Sequence, residues 1–355
     1  MGYKMETSEG RKDFNERTGR QAYWDAKGGE LERYMWHRAG IVHPKYTDIR
    51  DCPLCGADPE ESNCIFIKEG LFYAKCNKCG MVYITSPLKQ EILEEAYGSS
   101  EAMTRWLEVL ENQEDLDRDK FMYMLEALTK KLPSRAKYEG SVQVTEEGEF
   151  PVRLLDVGAS YGYACHVAKD YFGWEPTGLE LSEEAFEIYM GRYYNNFQLF
   201  KEKLEYYVEH RKAFHQFDVV TLWEVLEHIP DPHLLLVYAT NALKPGGILG
   251  LLVPNLASKT AMLLHEQAKC FGANHLNYWN IDTLTRQLKQ AGFDVVHWET
   301  LIGDVNTWHN YLNYEEPYSG NLVHPDHQEA TRETLSQGQG YKLFVVARKS
   351  DGAGV

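Results

Sequence analysis

Four cysteines fall in two matching knuckles, Cys52-Pro53-Leu54-Cys55-Gly56 and Cys76-Asn77-Lys78-Cys79-Gly80, with 20 residues between them. Two Cys-x-x-Cys-Gly turns at this separation can place four thiolates around one tetrahedral ion. The glycine after each pair permits the tight turn that brings backbone amides to sulfur. Zinc is the expected ion; iron in a rubredoxin-like site takes the same four ligands. Protein fills every coordination position, so the ion is expected to be structural. Cys64, Cys165 and Cys270 stand alone and read as buried thiols, Cys64 as a core residue rather than a fifth ligand.

A second constellation is Leu154-Leu155-Asp156-Val157-Gly158-Ala159-Ser160-Tyr161-Gly162, an apolar strand running into a glycine turn. The next acidic strand end is Glu180, about 24 residues after Asp156. A carboxylate at that distance can accept protons from both hydroxyls of a ribose. Dinucleotide sites share the spacing, but they need Gly-x-Gly-x-x-Gly to seat a pyrophosphate on the helix N-terminus, and this loop lacks it. Asp156 beside the turn suits a cationic amine better than a phosphate. The loop also spells Gly-x-Ser-x-Gly, a nucleophile elbow with Ser160 exposed. That reading leaves Glu180 without a role and places the elbow too early in the α/β region. An ordinary glycine turn without a ligand is the plain alternative.

These residues must be held by something. From 151 the chain alternates strand and helix: VRLLDV with ACHVAKDYF, PTGLEL with EEAFEIYMGRYY, NFQLF with KLEYYVEHRK, FDVVTLW with PHLLLVYATNAL, then ILGLLVPN, DTLTRQLKQAG, FDVVHWETL and YKLFVVARK. Such alternation predicts an α/β fold with a parallel sheet covered by helices on both faces. Four parts are expected: an extension over 1–47, charged and aromatic together; a zinc-ribbon module over 48–88; a helical linker or lid over 89–149; and the α/β domain over 150–349. Apolar spacing of three and four predicts helix over 102–132, broken near its acidic middle. Residues 137–149 read as a polar linker or hairpin. An insertion rich in Tyr, His, Asn and Glu spans about 303–338.

With the motifs in this order, the chain resembles class I S-adenosylmethionine-dependent methyltransferases. The carriers are LLDVGASYGYACHVA, TGLELSEEA, FDVVTLWEVLEHIPDP, LKPGGILGLLVPN, HLNYW and LKQAGFDVV. The most similar group holds ubiquinone-type O-methyltransferases and sugar C-methyltransferases, and the likeness covers about 150–302 plus the last strand. The resemblance implies a Rossmann-like seven-stranded sheet and S-adenosylmethionine as methyl donor. Asp156, Gly158, Ala159, Ser160, Tyr161 and Gly162 would then line its methionine and ribose. Ser160 stands where the family usually has a second glycine. Glu180 would grip the ribose, Leu181 and Leu204 would flank adenine, and Trp223 and Glu224 would lie below the sulfonium. His228, after the fourth strand, resembles the catalytic base of sugar C-methyltransferases, with Glu227 orienting it or raising its pKa. A helix-start cap is the other role open to Glu227 and His228. His275, Asn277, Tyr278 and Trp279 fall where acceptor pockets form. Tyr97, Ser99 and Ser100 are placed to cover the donor, and His309, Tyr311, Tyr314 and Tyr318 to close over the acceptor.

Charge and composition narrow the class of partner. The 355 residues carry a formal charge of −16, which argues against a nucleic-acid partner and suits a soluble protein. No run of eighteen apolar residues is present and the N-terminal segment lacks a signal-like apolar stretch, so a cytoplasmic protein without a membrane partner is expected. The acceptor is expected to be a small molecule such as a nucleotide-linked sugar or a polysaccharide or natural-product intermediate. Ribbon-guided methylation of RNA or protein, and donor binding without catalysis, are the rivals. The aromatic extension suggests packing on a partner subunit, hence a homodimer.

Overall fold

The computed structural model describes residues 9–98, 100–132, 137–139, 142–145 and 148–351; Ser99 lies outside them. Two helices open the chain, α1 (Arg11–Thr18) and α2 (Arg20–Glu32). The ribbon strands follow: β1 (Ser62–Lys68), β2 (Leu71–Cys76) and β3 (Val82–Ile84). Helices α3 (Gln90–Gly98), α4 (Glu101–Asn112) and α5 (Glu114–Thr129) lead to the α/β region. The expected break in the long helix falls at Gln113. Glu114, Asp115 and Asp117 open α5, where carboxylates complement the positive end of a helix.

The α/β region contains β4 (Arg153–Val157), α6 (Tyr163–Phe172), β5 (Glu175–Leu179), α7 (Glu183–Arg192), β6 (Gln198–Phe200), α8 (Leu204–His210), β7 (Phe217–Trp223), α9 (Pro232–Ala242), β8 (Leu243–Pro254), α10 (Lys259–Leu264), β9 (Asn277–Tyr278), α11 (Ile281–Gln290), β10 (Phe293–Leu301), α12 (Val305–Leu312), α13 (His327–Ser336) and β11 (Lys342–Lys349). Seven strands form one sheet in the order β6-β5-β4-β7-β8-β11-β10. β11 runs antiparallel to β8 and β10, while the other pairs are parallel. Leu154, Leu155, Val219, Val220, Leu249 and Leu251 are buried, as strands covered on both faces require. Strand order reverses between β4 and β7, which opens a crevice at their carboxyl ends.

The ribbon is not a separate sheet. β9, from the α/β region, pairs antiparallel with β3 through Asn277–Tyr83 and Tyr278–Val82, giving the order β9-β3-β2-β1. Cys64, expected in the core, is exposed on β1, where a bulge between Cys64 and Phe66 interrupts the ladder with β2.

The N-terminal extension packs on its own chain. The Tyr23 and Trp106 rings lie 5.1 Å apart, and the Arg20 guanidinium lies over both Phe14 and Trp106. Asn15 Nδ2 donates to the Tyr318 carbonyl at 2.7 Å, and Asn306 Nδ2 to the Glu9 carbonyl at 2.9 Å. The aromatic run therefore covers the linker helices and the 303–338 segment within one chain.

Candidate active site and metal centre

A cavity of about 1340 Å³ opens at the carboxyl ends of β4, β5 and β7 and is roofed by α2, α3 and α4. At the sheet end, the turn after β4 bends sharply. Gly158 has φ +72° and Ser160 has φ +51°, both left-handed. A serine there is strained, which explains the usual glycine at this position. The bend aims the Ser160 N–H at Glu180 Oε2, 2.8 Å away. Glu180 Oε1 accepts from the amides of Leu181 and Ser182 at 2.7 and 2.8 Å. The carboxylate is thus locked at the end of β5 and retains acceptor capacity toward the cavity. Ser160 is an amide donor in this turn, not an exposed nucleophile.

Asp156 is buried below the loop, its Oδ1 accepting from Thr221 Oγ1 at 2.6 Å. Burial raises its carboxyl to about 7. Val157 to Tyr161, Glu180 to Ser182, Glu202 to Glu205, Trp223 and Glu224 continue the wall. Gly162, expected on the donor, does not line the cavity. A Cβ there would lie 2.3 Å from the Phe197 ring, so this glycine serves packing. Carboxylates at Asp156, Glu180 and Glu224, among others, and a β4 turn without Gly-x-Gly-x-x-Gly fit a cationic adenosyl donor rather than a dinucleotide.

Beyond the donor side, Glu224 pairs with Lys342 at 2.7 Å. Burial works to raise the Glu224 carboxyl, but Lys342 and Lys120 overcome it and hold it at about 2. His228 and His275 form the next stretch of wall, their rings 4.7 Å apart and nearly perpendicular. His228 Nδ1 lies 2.7 Å from the Asn274 carbonyl and 2.5 Å from the Tyr97 hydroxyl. A carbonyl only accepts, so Nδ1 carries the proton and Nε2 keeps its lone pair. His275 repeats this, with Nδ1 2.7 Å from the Cys270 carbonyl. Burial lowers His228 to about 4 and His275 well below its usual range. Both rings are neutral near pH 7.

Several expected residues lie elsewhere. Glu227 is buried next to His228 and His275 without lining the cavity, and does not hydrogen-bond His228; burial raises its carboxyl to about 8. Tyr278 is buried off the cavity, its hydroxyl donating to the His275 carbonyl at 2.6 Å, and so supports that loop. Asn277 holds the Ile229 carbonyl at 2.8 Å, and Trp279 is core. His309, Tyr311, Tyr314 and Tyr318 do not reach the cavity. Tyr318 packs edge-on against Trp24, and Tyr314 is fully exposed. Asp304 and Asn306 line the cavity instead. The roof supplies residues that local sequence did not single out: Arg20, Lys27, Trp106 and Phe121. Arg20 and Lys27 were signalled only by the mixture of charge and aromatics in the extension, and Trp106 and Phe121 only as apolar positions in the helical spacing of 102–132. Lys342 gave none, because a strand lysine opposite Glu224 is a property of register.

The four-cysteine module is built as its spacing requires. Cys52 and Cys79 sulfurs lie 3.4 Å apart, and those of Cys55 and Cys76 lie 3.6 Å apart. All four fall within 4.8 Å of one another. Gly56 and Gly80 have φ +66° and +77°, and each amide closes its knuckle onto the Cys52 or Cys76 carbonyl at 2.9 Å. Amides of Leu54 and Cys55 reach the Cys52 sulfur, and those of Lys78 and Cys79 reach the Cys76 sulfur. Donors aimed at sulfur favour thiolates, so the set fits a tetrahedral Zn²⁺.

Comparison with known proteins agrees with this geometry. The profile of a methyltransferase-domain family matches residues 110–298, more than half of the chain. The ubiquinone biosynthesis O-methyltransferase of Actinobacillus pleuropneumoniae serotype 5b is 31% identical over 137 residues, 37% of this chain and 57% of the relative. That of Haemophilus ducreyi is 33% identical over 138 residues, 37% and 56% respectively. The match thus spans little more than half the length of these relatives. A chain from the complex of the Haloferax volcanii Trm112 methyltransferase activator with a methyltransferase aligns at TM-score 0.46 and 16% identity, covering 67% of this chain and 94% of its own. No helix among the described residues is long and apolar enough to cross a membrane.

Proposed function

Since the chain belongs to this methyltransferase-domain family, we propose that it transfers a methyl group from S-adenosylmethionine to a small-molecule acceptor held under the roof helices. The observation that carries the reading is one continuous cavity joining Asp156, the Gly158 turn and Glu180 to His228 and His275. Its volume of about 1340 Å³ exceeds the roughly 300–1,000 Å³ of single-ligand pockets, leaving room for donor and acceptor together. The roof favours a small acceptor over a macromolecular one.

S-adenosylmethionine supplies a methyl group already activated on a sulfonium. Asp156 and Glu180 would orient the amine and ribose, with Leu181 and Leu204 against adenine and Trp223 and Glu224 near the sulfonium. Neutral His228 would take up the acceptor proton on Nε2 as the acceptor receives the methyl group. Arg20 and Lys27 with Tyr23, Trp106 and Phe271 give the acceptor side cationic and aromatic walls. Such walls suit an anionic, partly planar acceptor, a nucleotide-linked sugar or a biosynthetic intermediate. The Cys52, Cys55, Cys76 and Cys79 set would hold a structural Zn²⁺.

Calorimetric titration with S-adenosylhomocysteine tests the donor site. Asp156→Ala and Glu180→Ala are each expected to weaken binding at least tenfold. Unchanged affinity in both would overturn the proposal.

A further inference from the structure

We infer that Glu227, His228 and His275 form a binding site for one divalent transition cation in the wall of the cavity, separate from the four-cysteine centre. The inference rests on the methyl-transfer reading and recasts His228 from free base to ligand.

One ligand-capable atom from each of these residues lies within 4.8 Å of the other two. Nitrogen and oxygen bonds of about 2.1 Å set ligands roughly 3–4 Å apart, so small side-chain rotations complete the set. The imidazoles are already oriented for it. Each turns Nδ1 toward a backbone carbonyl, Asn274 for His228 and Cys270 for His275, both at 2.7 Å. That arrangement fixes Nε2 as the lone-pair nitrogen and is how ligating histidines are usually anchored.

Glu227 supplies the second, independent observation. It is 1% exposed, and neither carboxylate oxygen has a hydrogen-bond partner among the described residues beyond its own backbone amide. A buried carboxylate is costly to leave ionised and unpaired unless a proton or a cation compensates it. Its neighbour Glu224 is compensated by Lys342; Glu227 instead has a ring nitrogen of each imidazole within 4.8 Å of a carboxylate oxygen. A cation among the three satisfies all of them.

The ligands come from two segments held in register. Leu276 N–H donates to the Glu227 carbonyl at 2.7 Å, and Asn277 Nδ2 holds the Ile229 carbonyl at 2.8 Å. His228 and His275 line the cavity, which leaves the remaining coordination positions open toward the acceptor. Three protein ligands with open positions characterise a working rather than a structural site. Two imidazoles and one carboxylate suit Zn²⁺, Mn²⁺, Co²⁺ or Fe²⁺, not Ca²⁺ with its all-oxygen preference. An acceptor presenting an ionisable oxygen would fill an open position, with that oxygen held for methylation.

The test uses the full chain with zinc retained on its cysteines and Mn²⁺ alone as probe, because Mn²⁺ prefers nitrogen and oxygen ligands. Electron paramagnetic resonance is expected to report one saturable Mn²⁺ per chain. Glu227→Gln and His275→Ala should each weaken it at least tenfold. S-adenosylhomocysteine affinity in the same samples should stay within twofold, with melting curves confirming the fold. Absence of a saturable site in the wild type, or its retention in both variants, overturns the inference. If the adenosyl ligand binds and Mn²⁺ does not, only the cation site falls; if the adenosyl ligand fails to bind the wild type, the methyl-transfer reading falls. Should a variant fail to fold, the wild-type stoichiometry still decides.

Discussion

Arg50, two residues before the first knuckle cysteine, donates through Nη2 to the carbonyl of Leu276, the residue after His275, at 2.5 Å. The same guanidinium reaches the carbonyls of Ile84 and Pro230 and the Asn277 side chain at 2.9, 3.2 and 3.0 Å. Burial lowers Arg50 to about 10, so it stays charged at neutral pH. One cation therefore clamps the ribbon to both segments of the histidine wall.

Arg50→Ala removes charge-assisted bonds worth about 1.5–3 kcal/mol each at most, and leaves several carbonyls unpaired. A destabilisation of about 2–4 kcal/mol is expected, read as a lower denaturant midpoint. If the clamp positions the wall, kcat should fall while adenosylhomocysteine affinity holds. Equal losses in both would show a general folding defect.

Stripping the metal from Cys52, Cys55, Cys76 and Cys79 with a thiol-reactive reagent and chelator should act in the same direction. The β3–β9 pairing transmits the loss to His275. Melting temperature is expected to drop by several degrees, with acceptor KM rising before donor affinity changes. An unaltered melting curve after metal release would contradict a structural ion.

Asp156 provides a pH test. Its carboxyl ionises near 4 in the unfolded chain but near 7 in the donor-free folded protein. The unfolded chain thus binds fewer protons between these values, so folding stability falls as pH rises from about 4 to 7. Asp156→Asn removes that loss. Its melting temperature should exceed the wild type's increasingly from pH 4.5 to 7.5, while donor-product affinity drops at least tenfold. A gap constant with pH would refute the assignment.

Ser160→Gly relieves a left-handed φ but adds chain entropy to the unfolded state. The net effect is expected to stay within about 1 kcal/mol of wild type. Donor affinity and turnover should be kept, since only the Ser160 amide is used. A tenfold loss of turnover would give the hydroxyl a role.

His228→Ala should spare donor binding and slow turnover by about 10²–10⁴, the usual range for a lost proton-transfer group. Tyr97→Phe keeps the Asn274 carbonyl on Nδ1 and should cost less. Full activity of His228→Ala in a single-turnover assay would remove it from the chemistry.

Local sequence determined what short-range physics controls. The cysteine knuckles, the Gly158 turn, Glu180 at the end of β5 and the strand–helix alternation each follow from neighbours a few residues apart. Backbone geometry and hydrophobic period are encoded at that range. Tertiary structure decided what depends on contacts across hundreds of residues. It set Lys342 against Glu224, brought Arg20 and Lys27 over the cavity, and withdrew Tyr278 and Tyr318 into supporting layers. It also aligned Nδ1 of both His228 and His275 on carbonyls while leaving Glu227 unpaired. Motif spacing placed those three residues near the acceptor, but which nitrogen is free and which carboxylate is buried are set by packing and register. Solvent exclusion and hydrogen-bond partners belong to the assembled fold.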